Sequence, residues 1–420
     1  MAQVKTREFK PASVKALADV QLQRSLTRVM SHFNDARRAA IQEMTPQRWE
    51  ELREQGREIK RHTLENLDYY LGLLTQRVTE AGGVVHFASD AQEACDIVTE
   101  LVRSEKVQLV TKGKSMVSEE IGLNHVLEAM NVEVVETDLG EYVIQLAEET
   151  PFHIIAPAMH KSKEEVAQLF MDKLGTPHLE RIEEMAQAAR LTLREKLLTP
   201  DMGITGVNFA IAETGTIAIV TNEGNGRFCT SAPRIHLALM GMEKVIPRLE
   251  DLAVFLRLLP RSATGQTLTS YVSFIGGPRH AQEEDGPEEF HLVIVDNGRS
   301  RLLADPELRE VLYCIRCGAC LNICPVYRKV GGHAYGWVYP GPIGAVVTPV
   351  MTGLPQAKDL PFASTLCGAC REVCPVNINI PHMLLTLRNR VIEAPQPEQR
   401  NLSRRERLAV RAWYHLLKSA

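Results

Sequence analysis

No apolar run in this sequence approaches the roughly 20 residues of a membrane-spanning helix. The first residues, MAQVKTREFKPASVKALADV, also lack the apolar stretch of a secretory signal. Excess positive charge is missing too. Against 52 acidic residues stand 48 Lys and Arg, a net charge of -4, which argues against broad nucleic-acid binding. No Gly-x-Gly-x-x-Gly follows a strand-like run, so no flavin or nicotinamide Rossmann site is legible. Gly113-Lys114-Ser115 resembles the end of a P-loop. Its first glycine would have to stand at position 108, which is Gln108. No internal repeat is visible apart from one paired cysteine motif. These absences place the chain in the cytoplasm, where thiols stay reduced. It would meet a membrane only peripherally, through partners.

The remaining composition is that of an ordinary soluble protein, 45% hydrophobic and 24% charged. A length of 420 residues suits two or three domains. Residues 1–80 read as a helical segment, with Val14, Leu17, Leu22, Leu26, Val29, Met30 and Phe33 at helical spacing. Thr45 is the expected N-cap of a helix that opens with Pro46. From about residue 82, short apolar runs alternate with helical stretches. GGVVHFA, VQLVTKG, VEVVET and FHIIAPA read as strands between helices at 91–104, 115–130 and from 162. Such alternation predicts an α/β sheet with crossover helices over residues 81–299. A helix is expected at 178–197. NFAIAETGTIAIVTNEGNGR and FHLVIVDNG read as strands, with a hairpin signal in ETGTIAIVTNEGNGR, and GGPRHAQEEDGPEEF reads as a loop. Residues 300–392 form a cysteine-bearing unit, and 393–420 a polar, basic tail with one helix.

Seven of the nine cysteines fall between Cys314 and Cys374. Disulfides are excluded by a reducing compartment, so clustered thiols call for metal. CIRCGACLNICP has the Cys-x2-Cys-x2-Cys-x3-Cys-Pro spacing of bacterial ferredoxins, in which three thiolates wrap one cubane and the fourth ligates a second. Zinc sites also use Cys-x2-Cys pairs, but not three cysteines in succession at two-residue gaps followed by Cys-Pro. STLCGACREVCP keeps that register, with Ser364 in the first cysteine's place. Crossing the ligands assigns Cys314, Cys317, Cys320 and Cys374 to one [4Fe–4S] cluster. It assigns Cys324, Cys367 and Cys370 to a second. A hydroxyl is a poor partner for iron beside soft thiolates. The second cluster is therefore expected as [3Fe–4S], or as [4Fe–4S] with a weak or external fourth ligand.

Other residues carry weaker signals. Cys95 and Cys229 read as core packing. Lys112-Gly113-Lys114-Ser115, between a strand and a helix, reads either as an anion cradle or as a plain turn. AETGT and NEGNGR could present backbone amides to a ligand. Glu213 and Glu223 are the acid–base candidates beside them, against a reading as turn residues. His125, His153, His160 and His291 read as structural, and His333 as a loop residue or one that tunes a cluster.

The cysteine motifs, together with VTKGKSMVSEEIGLNHVLE, VETDLGEYVIQLAEETPFHIIAPAMHK, GITGVNFAIAETGTIAIVTNEGNGR and GPEEFHLVIVDNGRS, resemble the lactate utilization protein B family over essentially the whole chain. The resemblance implies a LUD domain, akin to sugar isomerases and CoA transferases, followed by a module similar to helical ferredoxins. It also implies action with LutA-like and LutC-like partners in oxidising L-lactate to pyruvate, this chain carrying electrons rather than catalysing alone. Two departures stand out. Some relatives have cysteine at the position of Ser364, and relatives continue past Ala420, which marks Ala420 as a truncation point. Two rival readings remain: a LUD-domain enzyme on a carboxylate or acyl substrate with structural or regulatory clusters, and a ferredoxin-like scaffold without redox turnover.

Overall fold

The computed structural model describes residues 4–394 and 404–418. The tail reading beyond Glu393 therefore falls partly outside the described residues, as does Ala420. Four long helices open the chain: Phe9–Ala18, Val20–Gln42, Pro46–Glu65 and Leu67–Glu80. The Thr45 hydroxyl accepts from Arg48 N at 3.2 Å, and Pro46 occupies the first turn, where its missing N–H costs nothing.

Ten strands follow. They are β1 (Val84–Ala88), β2 (Leu109–Gly113), β3 (Glu133–Glu136), β4 (Met202–Gly206), β5 (Phe209–Ile211), β6 (Thr216–Thr221), β7 (Ile235–Gly241), β8 (Val245–Ile246), β9 (Tyr271–Ile275) and β10 (Glu289–Val295). The main sheet has six strands, all parallel, in the order β1-β10-β7-β4-β2-β3. Helices cover both faces, so β7 is buried along its whole length and reads IHLALMG with no polar alternation. A second sheet, β8-β5-β6-β9, contains the expected β5–β6 hairpin. The α/β class with a parallel sheet is thus as the alternation predicts. The helix expected at 115–130 breaks at Gly122, whose φ of 71° starts a second short helix at Leu123.

FHIIAPA is not a strand. Pro151 precedes it and Pro157 lies within it, and neither can donate to a ladder. Phe152 N instead donates to Pro157 O at 3.0 Å, closing a compact loop. That loop plugs into the cysteine-bearing unit. Tyr327 donates to Phe152 O at 2.8 Å, and a Cβ on Gly332 would sit 1.7 Å from the same oxygen. Only glycine permits this approach.

One continuous hydrophobic core runs from the N-terminal helices through the second sheet into the cysteine-bearing unit. Leu26, Phe255 and Leu384 are fully buried in it, each contributing about 1.5–3 kcal/mol by area transfer. The N-terminal helices are the strap. Arg53 Nε donates to Cys374 O at 2.9 Å, Arg37 to Val373 O at 2.9 Å and Asn34 to Asn322 O at 2.9 Å. The cysteine-bearing unit is built, among the described residues, of short helices plus Gly341–Met351 and Ile380–Glu393. No helix among the described residues is long and apolar enough to cross a membrane.

Candidate metal centre and adjoining cleft

The two cysteine loops share one backbone shape. Each puts a non-glycine residue at positive φ, Arg316 at 60° and Leu366 at 55°, before its middle cysteine. Each then uses a glycine at positive φ, Gly318 at 75° and Gly368 at 85°. These left-handed steps wind the chain tightly and turn side chains and N–H groups toward one centre. The amide of Arg316 donates to Cys314 Sγ at 3.4 Å. At the equivalent place Leu366 N donates to Ser364 Oγ at 3.1 Å. Ser364 therefore takes the same amide as a cysteine would. Tyr327 N donates to Cys324 Sγ at 3.5 Å and Ile378 N to Cys374 Sγ at 3.4 Å.

The cysteines fall into two groups. Cys314, Cys317, Cys320 and Cys374 line one small cavity with Ile154, Ile343 and Ile378. Burial, then the charges of Cys314 and Cys374, drives the Cys317 thiol far up. Cys370 is pushed up to about 12 by burial and by Cys324 and Cys367. Cys367 is exposed, and its thiol is lowered by hydrogen bonds from Thr365 and Ala369 N. Thiols crowded in a dry site, with amides aimed at sulfur, form a donor set that is poor as bare thiols and good around a cation. The residues present fit iron–sulfur clusters.

Cys95 and Cys229 are buried and pack as expected. Lys112 bonds Glu119 and lies 2.7 Å from Glu136, and Lys114 pairs with Asp138 and Glu223 at 2.9 Å each. With both lysines neutralised, this segment is a strand–helix turn rather than an anion cradle. Glu213 accepts from Leu249 N at 3.0 Å, and Glu223 is tied to Lys114, so both are turn residues. His153 is buried, its Nε2 donating to Asn322 at 3.0 Å and its Nδ1 accepting from Ile155 N at 3.2 Å. His333 bonds Thr150 O at 2.8 Å and sits edge-on to His160. His125 is exposed near Glu128 and His291 stacks on His86.

Sequence reasoning reached only the Lys112–Ser115 and Glu223 side of the adjoining cleft. It occupies about 1040 Å³ between the carboxyl ends of β2, β4 and β7 and a roof of Arg316, Trp337 and Tyr339. Its inner wall carries a buried network. Arg299 donates twice to Glu120, at 2.9 and 2.8 Å, and once to Glu243 at 2.6 Å, while Tyr339 donates to Glu120 at 2.5 Å. Burial opposes ionisation of Glu243, but Arg299, Arg316 and Lys244 outweigh it and hold the carboxyl down to about 2. Glu243-Lys244, charged residues directly after the run IHLALMGM, were the available signal.

Residues 71–295 match the LUD domain family and residues 310–378 the 4Fe-4S dicluster domain family. A LUD sheet joined to a dicluster module defines the class, a LUD-domain iron–sulfur protein. The chain is 48% identical over 391 residues to lactate utilization protein B of Anoxybacillus flavithermus, covering 93% of this chain and 82% of that protein. It is 51% identical over 346 residues to lactate utilization protein B of Bacillus subtilis, covering 82% and 72%. The chain belongs to the lactate utilization protein B family. A DUF162 family protein from Deinococcus radiodurans matches 55% of this chain and 98% of its own at 14% identity, with a TM-score of 0.31 that carries no argument.

Proposed function

We propose that this chain is the iron–sulfur electron-transfer subunit of an assembly that oxidises L-lactate to pyruvate, working with LutA-like and LutC-like partners. One observation carries the reading: the cysteines group across the two motifs, four around a buried cavity and three reaching a surface marked by Cys367. In this reading Cys314, Cys317, Cys320 and Cys374 hold a [4Fe–4S] cluster. Cys324, Cys367 and Cys370 hold the second, beside Ser364. The clusters supply one-electron storage and transfer. The chain's own residues do the rest. Ile154, Ile343 and Ile378 keep water from the inner group, and the amides of Arg316 and Ile378 stabilise negative charge on sulfur. Exposed Cys367 gives a partner a close approach to the outer group.

The test is anaerobic purification with iron and sulfide counting, EPR, and lactate:dye turnover with and without partner subunits. Clusters that reduce reversibly, with no turnover by the chain alone, are expected. Strong lactate:dye turnover by the isolated, flavin-free chain would sink the reading.

A further inference from the structure

The cleft opens where the sheet reverses direction. From β2 the chain runs outward to β3, and from β4 it runs the other way toward β7. Loops diverge at such a point and leave a crevice beyond the strand ends, the place where open α/β sheets bind ligands. The cations of this crevice are not equivalent. Lys112, Lys114 and Arg299 are each matched by two carboxylates. Lys244 is only 9% exposed and has no hydrogen-bond or ion-pair partner among the described residues. Arg316 reaches Glu243 only at 3.5 Å, and its buried Nη1 has no acceptor among the described residues. Both side chains line the cleft. The Lys244 side chain is largely buried and ends in the cleft without a partner, and Arg316 Nη1 is buried without one, so both are open to an acceptor.

The pair is also held in place. Lys60 donates to the carbonyls of Glu243 and Val245, pinning both neighbours of Lys244. The Arg316 guanidinium lies 4.4 Å over the Tyr339 ring, which fixes its plane. Four basic side chains, Lys60, Lys244, Arg299 and Arg316, gather around Glu120 and Glu243 here, with burial lowering the pKa of both lysines. Cys314 lies in the same field and offsets part of it. Even so, the Lys244 ammonium and Arg316 Nη1 are left without a hydrogen-bond acceptor.

We propose that this end of the cleft binds a small ligand through a carboxylate or phosphate group, clasped between Lys244 of the sheet and Arg316 of the cysteine loop. A guanidinium and an ammonium together suit either oxyanion. Glu119, Glu136, Glu141 and Glu223 line the rest of the cleft and select against a polyanion. Arg316 sits between Cys314 and Cys317 and lines both the cleft and the cysteine cavity, so occupancy registers at the inner cluster.

Calorimetry on the anaerobic holo chain tests this without turnover, so the result is independent of the electron-carrier reading. The probes are L-lactate and inorganic phosphate, with sodium chloride matching ionic strength. Saturable binding of either is expected, together with a change in the EPR line shape of the inner cluster. Binding of lactate alone assigns a carboxylate ligand, and of phosphate alone a phosphate-bearing one. Lys244→Met should weaken binding at least about tenfold at unchanged iron content, and Lys244→Arg should restore most of it. Arg316→Lys should weaken binding similarly if clusters still assemble. The proposal is overturned if neither probe binds the wild type, or if Lys244→Met binds as tightly as wild type. A Lys244→Met variant that shifts only the cluster's potential would assign the lysine to charge compensation instead.

Discussion

Replacing Ser364 by cysteine tests the metal centre most directly. The backbone at 364 is already fixed, since Arg388 donates to Ser364 O at 2.7 Å and to Pro361 O at 2.8 Å. The side chain already accepts the amide that its counterpart Cys314 accepts. A sulfur placed there needs no backbone movement. In the wild type the fourth iron of the outer site would be held weakly, because a hydroxyl is harder to deprotonate than a thiol of pKa about 8.5 and is a harder donor. Mild oxidation should then leave about seven irons per chain in the wild type and about eight in Ser364→Cys. The added thiolate also brings one negative charge. At about 4 Å a unit charge is worth about 1 kcal/mol in water and about 4 kcal/mol at an effective dielectric of 20. For one electron, with 59 mV per tenfold, that lowers the outer midpoint by about 40 to about 170 mV. Exposed Cys367 puts the site toward the lower end of that range. The assay is iron counting and EPR after brief air exposure, then redox titration of both proteins loaded anaerobically with ferrous iron. If the wild type keeps about eight irons in air and the variant matches it in spectrum and potential, the labile-iron reasoning fails.

Other outcomes follow from the same geometry. Cys374→Ser should damage the inner cluster and Cys324→Ser the outer one, as read by EPR and iron content. The opposite pattern would mean that each motif binds its own cluster. Glu120→Ala strips Arg299 of its two-pronged partner in a dry site and should cost about 3–5 kcal/mol in urea unfolding. Tyr339→Phe, which removes one of several donors to Glu120, should cost only about 1–3 kcal/mol. Burial lowers His153 from 6.5 to about 4. Its folded pKa lies below its unfolded one, so its contribution is complete above pH 6.5 and is lost as pH falls toward 4. That loss should be about 2 kcal/mol at pH 5. His153→Gln should flatten this part of the difference between urea midpoints at pH 7 and pH 5, and an unchanged slope would show that His153 does not titrate this way.

Local rules in the sequence determined the spacing of the cysteines, the Thr45–Pro46 helix start, the strand–helix alternation and the glycine-bounded hairpin. Each depends on neighbours within a few residues, and nothing distant overrides them. FHIIAPA had the apolar content of a strand, but its prolines removed ladder donors and its best partners were Tyr327 and Gly332, far along the chain. Lys112 and Lys114 could be read as an anion cradle or as a plain turn until the fold brought Glu136, Asp138 and Glu223 beside them. Arg316 carried no signal of its own, and Lys244 only that of a charge close behind an apolar run. They stand 72 positions apart in the chain, and only the packing of the cysteine unit over the ends of β2, β4 and β7 makes them two sides of one cleft. Charge pairing acts through space and is set by which groups share a dry volume, so tertiary structure alone decided which cations were satisfied and which were left open.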